Sequence, residues 1–163
     1  MDQFELNILE TLAEDARTPI ESIAKMTGRT VVEVAQAIEK LEKNRIIVSY
    51  PAMINWEAMD KELVEALIEV RVSPQRGVGF DAIAEEIYRF DEVTSVYLMS
   101  GAYDLLVMVK GHSLKMLAEF VSEKLSTLEH VLSTATHFVL KKYKDNGILL
   151  TGDARDDRLA VSP

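Results

Sequence analysis

Cysteine is absent from this 163-residue chain, which removes disulfides and thiolate metal ligands and is compatible with a reducing compartment. Basic residues are in the minority: 18 Lys and Arg stand against 27 Asp and Glu, a net charge of −9. That balance works against broad attraction to nucleic acid or anionic membrane, so any DNA contact must be local. No apolar run approaches the ~20 residues needed to span a bilayer. The opening stretch MDQFELNILETLAED is acidic and amphipathic, unlike a signal peptide, so no membrane partner is expected and the expected address is the cytoplasm. Gly-rich phosphate loops and nucleophile motifs are missing, and His112, His130 and His137 lack metal-ligand spacing. Neither catalysis, nor a metal, nor a cofactor is expected.

What the chain does have is apolar content, 48%, and clear punctuation. Asp2 precedes Glu5, Thr18 precedes Glu21 and Thr30 precedes Glu33, each at the spacing of a capping box. Pro19 falls at a first helical position. The spacing predicts helices over about Gln3 to Glu14 (Ile8, Leu9 and Leu12 inward), Pro19 to Met26 (Ile20, Ile23 and Ala24 inward) and Val31 to Asn44. The third would bury Val31, Val34, Ala35, Ile38 and Leu41, leaving Val32, Glu33, Gln36, Ala37, Glu39, Lys40 and Lys43 outside. The stretch IIVSYPAMI then suits an extended connector or wing, because Pro51 is ill-suited to a central strand.

From Val64 the period changes to two, with Val64, Ala66, Ile68, Val70 and Val72 on one side. A helical set (Phe80, Ile83, Ala84, Ile87) follows, then strands over Val93 to Ser100 and Asp104 to Lys110. A second helical set (Leu114, Leu117, Ala118, Val121, Leu125, Leu128) leads to a last strand in VLSTATHFVLKK. The order βαββαβ is that of a ferredoxin-like, antiparallel sheet with both helices on one face. Apolar residues on the other face, Leu106 and Met108 among them, call for cover by another subunit. Of the final stretch, Ile148 to Leu150 is an apolar patch suited to docking, and the end is expected to fray.

A three-helix unit, a connector and a βαββαβ domain carrying DQFELNILETLAEDART, VAQAIEKLEKNRII, SGAYDLLV and TATHFVLKKYK together resemble the Lrp/AsnC family, the leucine-responsive and asparagine regulators of bacteria and archaea. The resemblance implies an α+β chain with a winged helix-turn-helix domain (1–50), a connector (51–62), a ferredoxin-like ligand-sensing and oligomerisation domain (63–144) and a tail (145–163). It further implies double-stranded DNA and a small effector, commonly an amino acid, as partners, with assembly into a homo-oligomer, a dimer or an octamer. Two positions depart from the family pattern: Ala37 where Arg is usual, and Arg45 where Gly is usual.

For DNA, Gln36 suits an adenine edge, Val32 a thymine methyl, and Arg29 and Lys40 phosphate or guanine. Thr30, Glu33 and Lys43 complete that candidate set. The cations from Gly28 to Arg45 exceed the acids by one only, which leaves open a helical domain used for assembly alone. For the effector, the candidates are Ser100, Gly101, Ala102, Tyr103 and Asp104 at a strand mouth, with Thr134 and Thr136. Asp104 fits either an ammonium partner or a self-capping hairpin turn.

Overall fold

Asp2 and Thr30 each open a helix through a reciprocal capping box. The Glu5 amide donates to Asp2 Oδ1 (2.8 Å) and the Asp2 amide to Glu5 Oε2 (3.3 Å). The Thr30 amide donates to Glu33 Oε2 (2.8 Å), with the Glu33 amide returning to Thr30 Oγ1 (3.2 Å). These fix α1 (Gln3–Glu14) and α3 (Val31–Lys43). The third expected box does not form. Pro19 itself occupies the cap of α2 (Ile20–Thr27), and the Thr18 hydroxyl instead donates to the Asp15 carbonyl at 2.8 Å, closing the preceding turn. Gly28 ends α2 at φ 65°, a left-handed conformation that glycine adopts without a Cβ penalty.

The computed structural model describes residues 2–59, 63–73 and 79–150, and its contacts divide the chain into two units, Met1–Ile54 and Asn55–Pro163. The core of the first is Ile8, Ile23, Ala24, Val34, Ala37 and Leu41, flanked by half-buried Leu9, Leu12, Ile20 and Ile38. Here the expected face of α3 is corrected: Ala37 is buried, whereas Val31 and Ala35 are exposed. The bulky Val34, Ile38 and Leu41 set the rotation, and Ala37 lies nearer the centre of their stripe than Ala35 does. Val31, in the first turn, is at the rim of that core. Arg45 adopts φ 56°, the left-handed geometry for which glycine is the usual residue. Beyond it residues 46–55 have no ladder partner among the described residues; the Ile46 and Ile47 amides donate to the Leu41 carbonyl and the Tyr50 hydroxyl to Glu42 (2.7 Å).

The second unit follows the order read from the sequence. β1 (Val64–Val72), α4 (Phe80–Tyr88), β2 (Val93–Leu98), β3 (Leu105–Gly111), α5 (Leu114–Glu119) and β4 (Val131–Phe138) build an antiparallel sheet in the order β2-β3-β1-β4. Ala66, Ile68, Val70 and Val72 of β1 and Leu105, Val107 and Val109 of β3 meet Ile83 and Ile87 of α4. Gly111 is required by close approach: a Cβ there would lie 2.9 Å from Leu117 Cδ2.

The helical reading after Leu114 needs correction. The coil widens into a π turn over Phe120–Lys124 and a tight turn over Leu125–Thr127, so Leu117, Phe120 and Leu125 are buried while Leu114 and Ala118 are exposed. One extra residue in the turn advances the buried stripe, which a strict 3.6 period cannot anticipate. Phe120 packs edge-on to Phe90 (5.4 Å between centroids), beside the Lys124–Glu92 ion pair of 2.6 Å.

The sheet face opposite the helices is mixed rather than uniformly apolar. Half-buried Leu67, Leu106 and Met108 lie among Glu65, Glu69 and His137, with Glu69 3.3 Å from His137 and Glu65 paired with Lys142. The tail begins as a small hairpin, Lys144–Asp145 against Ile148–Leu149, turning at Asn146 and Gly147 (φ 44° and 84°). The Leu150 amide donates to the Tyr143 carbonyl (3.0 Å), and Asn55 Nδ2 to the Leu150 carbonyl (3.3 Å). Residues 151–163, expected to fray, lie outside the described residues.

Candidate nucleic-acid interface and effector hairpin

On α3 the charged candidates are tied into the first unit's own structure. Arg29 reaches Glu33 Oε1 at 3.3 Å and lies over the Phe4 ring at 5.3 Å. Glu33 also accepts from the amide and hydroxyl of Thr30, and these bonds hold its carboxyl below the usual carboxylate range. Lys40 Nζ donates to Glu5 Oε1 at 2.7 Å, across thirty-five positions of sequence. That bond lowers the pKa of Glu5 and raises that of Lys40. The Lys40–Glu5 pair thus links the cap of α1 to the third turn of α3.

What stays outward differs in part from the expected set. Val32, Gln36, Glu39, Lys40 and Lys43 are exposed as foreseen, and they are joined by Val31 and Ala35. Ala37, expected outside, belongs to the core, so the small residue at this departure from the family pattern is a packing choice. Ala35 was misplaced because alanine carries too little apolar surface to declare which side it takes, and Val31 because it lies in the first turn, where the stripe begins. The signal that finds them is the orientation fixed by Val34 and Leu41.

In the second unit, Ser100, Gly101 and Ala102 form the exposed tip between β2 and β3, and Tyr103 and Asp104 are half-buried at its base. Asp104 has a defined employment. Its Oδ2 accepts from the Val72 amide at 2.9 Å, where the β1–β4 register shifts between Arg71 and Val72. Its own amide donates to the Val70 carbonyl (3.1 Å) and its carbonyl accepts from the Met99 amide (2.8 Å). The carboxylate therefore satisfies a β1 amide that lies beyond the last β1–β3 pair, Val70 with Leu105.

Thr134 and Thr136 lie opposite Val70 and Ile68 in the ladder and share their helix-side face; Thr134 Oγ1 is 3.2 Å from Ser126 Oγ. Asp104, the end of β1 and Thr134 thus gather at one end of the sheet. Thr136 lies two positions further along β4, away from that end.

Two family models match these units: the AsnC-type helix-turn-helix domain over residues 1–42 and the Lrp/AsnC ligand binding domain over residues 65–149. The HTH-type transcriptional regulator YugG of Bacillus subtilis is 56% identical over 161 residues, covering 98% of this chain and 96% of that protein. A proline dehydrogenase transcriptional activator of Rhizobium radiobacter is 26% identical, over 91% of this chain and 94% of its own. Among solved structures, a Neisseria meningitidis transcriptional regulator in complex with L-Met superposes with a TM-score of 0.72 at 22% identity, covering 89% of this chain and 93% of the other. AsnC of E. coli gives 0.68 at 24% identity, over 87% and 93%. A DNA-binding helix-turn-helix domain followed by a ligand-binding domain on a ferredoxin-like sheet makes this chain a member of the Lrp/AsnC family of transcriptional regulators.

Proposed function

We propose that the protein regulates transcription by binding operator DNA through α2 and α3, with its assembly or DNA affinity set by an amino acid held in the second unit. The observation that carries this reading is the presence of both family domains, 1–42 and 65–149, in one chain. An amino-acid effector is supported by the L-Met complex of the Neisseria meningitidis neighbour. Within this reading Gln36 reads a base edge and Lys43 holds phosphate. Arg29, Thr30 and Glu33 set the helix start, and Lys40 braces α3 on α1. In this reading the effector meets Ser100 to Asp104 and Thr134, with Thr136, two positions further along β4, at the margin.

Assembly into a homo-oligomer is supported by large apolar side chains left exposed in the second unit, among them Leu132, Leu140, Tyr143 and Leu149. Several linked reading helices would offset the small positive charge of each α3. One observation favours a second reading, an amino-acid sensor that assembles without touching DNA: Arg29 and Lys40 both spend their charge on internal carboxylates. Selection of bound duplexes from a random pool, with and without a mixture of amino acids, decides between them. A recovered sequence whose affinity changes with amino acid is the expected result. Failure to recover any DNA, together with calorimetric binding of an amino acid, would leave the sensor.

A further inference from the structure

The stripe of α3 left outside the core has a chemistry of its own. Val31, Val32, Ala35, Gln36 and Glu39 recur along one side of the helix, opposite Val34, Ala37 and Leu41. Val31 and Val32 are 43% and 63% exposed. Branched apolar residues there gain little from helix propensity and nothing from the core. The cations sit elsewhere: Arg29 is held by Glu33 and Phe4, Lys40 by Glu5, and Lys43 lies in the last turn.

In a helix-turn-helix domain the first residues of the second helix meet the base edges in the major groove. In this chain the first two turns of that surface offer methyl groups and the Gln36 carboxamide, with the Glu39 carboxylate in the third turn and no guanidinium without an internal partner among the described residues. Arg and Lys are the side chains that select guanine, apolar groups meet the C5 methyl of thymine, and Gln pairs with adenine. Exposed Lys25 and Lys43, unpaired among the described residues, are available to phosphate.

Granted the DNA-binding reading above, we infer that α3 recognises thymine C5 methyl groups through Val32 and Ala35, with Gln36 on a nearby adenine. Its first two turns make no guanine contact. Specificity then rests on methyl burial and the Gln36 carboxamide, and the preferred half-site carries A·T pairs where α3 meets it.

The test uses the full chain and a site recovered from a random duplex pool. Each thymine is replaced in turn by uracil, which lacks only the C5 methyl. At one or two positions the affinity should fall about fourfold, the worth of burying one carbon. Val32→Ala, a change at an exposed position, should bind the thymine site more weakly and lose little more when one of those thymines becomes uracil. Cytosine compared with 5-methylcytosine at that position separates the methyl group from the adenine contact, and a preference for the methylated base supports methyl reading. Tolerance of uracil at every position, or a recovered site contacted only at G·C pairs, overturns the inference while leaving DNA binding intact. An equal uracil penalty in the unmodified protein and Val32→Ala overturns the role of Val32. Recovery of no DNA overturns the DNA-binding reading, and the inference falls with it.

Discussion

The start of α3 and the base of the β2–β3 hairpin were both marked by their charged residues, and both use those charges on the protein itself. They differ in what this leaves. On α3, pairing Arg29 with Glu33 and Lys40 with Glu5 leaves Val31, Val32, Ala35 and Gln36 facing outward, with Glu39 beyond them. At the hairpin, Asp104 spends one oxygen on the Val72 amide, beside the exposed Ser100 to Ala102 tip. A charge in a candidate site is thus evidence of function only after its internal partners are counted.

The largest expected effect comes from breaking the hairpin side. Asp104→Ala leaves the buried Val72 amide unsatisfied and should destabilise the second unit by ~1–3 kcal/mol. Asp104→Asn keeps an acceptor and should restore most of that in chemical denaturation. An effector response lost in Asp104→Asn at unchanged stability would show that the charge itself meets the ligand; equal stability of Asp104→Ala and the unmodified protein would remove the structural role.

Capping residues give the next effect. Thr30→Ala removes a box and should cost ~1 kcal/mol. Thr18→Ala, which removes no helix cap, should stay within ~0.5 kcal/mol. Thermal unfolding that ranks them the other way would contradict the helix starts described for α2 and α3.

The Lys40–Glu5 pair sharpens the comparison through pH. Because the folded pKa of Glu5 is lowered, its contribution is present above the ordinary value of 4.5 and is lost as pH falls below it, through the lowered folded pKa. Lys40, with its pKa raised, contributes below 10.5 and loses that as pH rises through its folded value. Glu5→Gln should flatten the acid limb of the stability profile, and an unchanged limb would deny the pair any role. The smallest effect is expected of Lys43→Ala, which should weaken all DNA sequences alike and reduce the salt slope by ~0.9, one phosphate's share. An unchanged slope would place Lys43 off the backbone.

Much of this was legible in the sequence because it is local. Alternation from Val64 to Val72 named the buried face of β1, and two capping spacings named helix starts that formed. The errors have physical sources. Thr18 lost its cap to Pro19, which takes the cap position with its own fixed backbone. The π turn displaced the stripe after Leu117, and no residue from Phe120 to Lys124 announces it. Asp104 and Val72, or Glu5 and Lys40, meet only after folding, thirty-two and thirty-five positions apart, so no local pattern could pair them. The tail hairpin was not read from the sequence, although Asn146-Gly147 is a strong turn signal.

The internal pairing of Arg29 and Lys40 also bears on how the protein finds its target. Electrostatic steering can speed encounter to 10⁸–10⁹ M⁻¹s⁻¹ on the order of magnitude, against roughly 10⁵–10⁶ M⁻¹s⁻¹ for an unsteered pair. A chain of net charge −9 whose reading helix has neutralised two of its cations projects little attractive field toward DNA. On the DNA-binding reading proposed above, its search then rests more on random collision and correct orientation than on long-range attraction. On that reading, occupancy of an operator depends more on how long the fitted complex lasts than on how fast it forms.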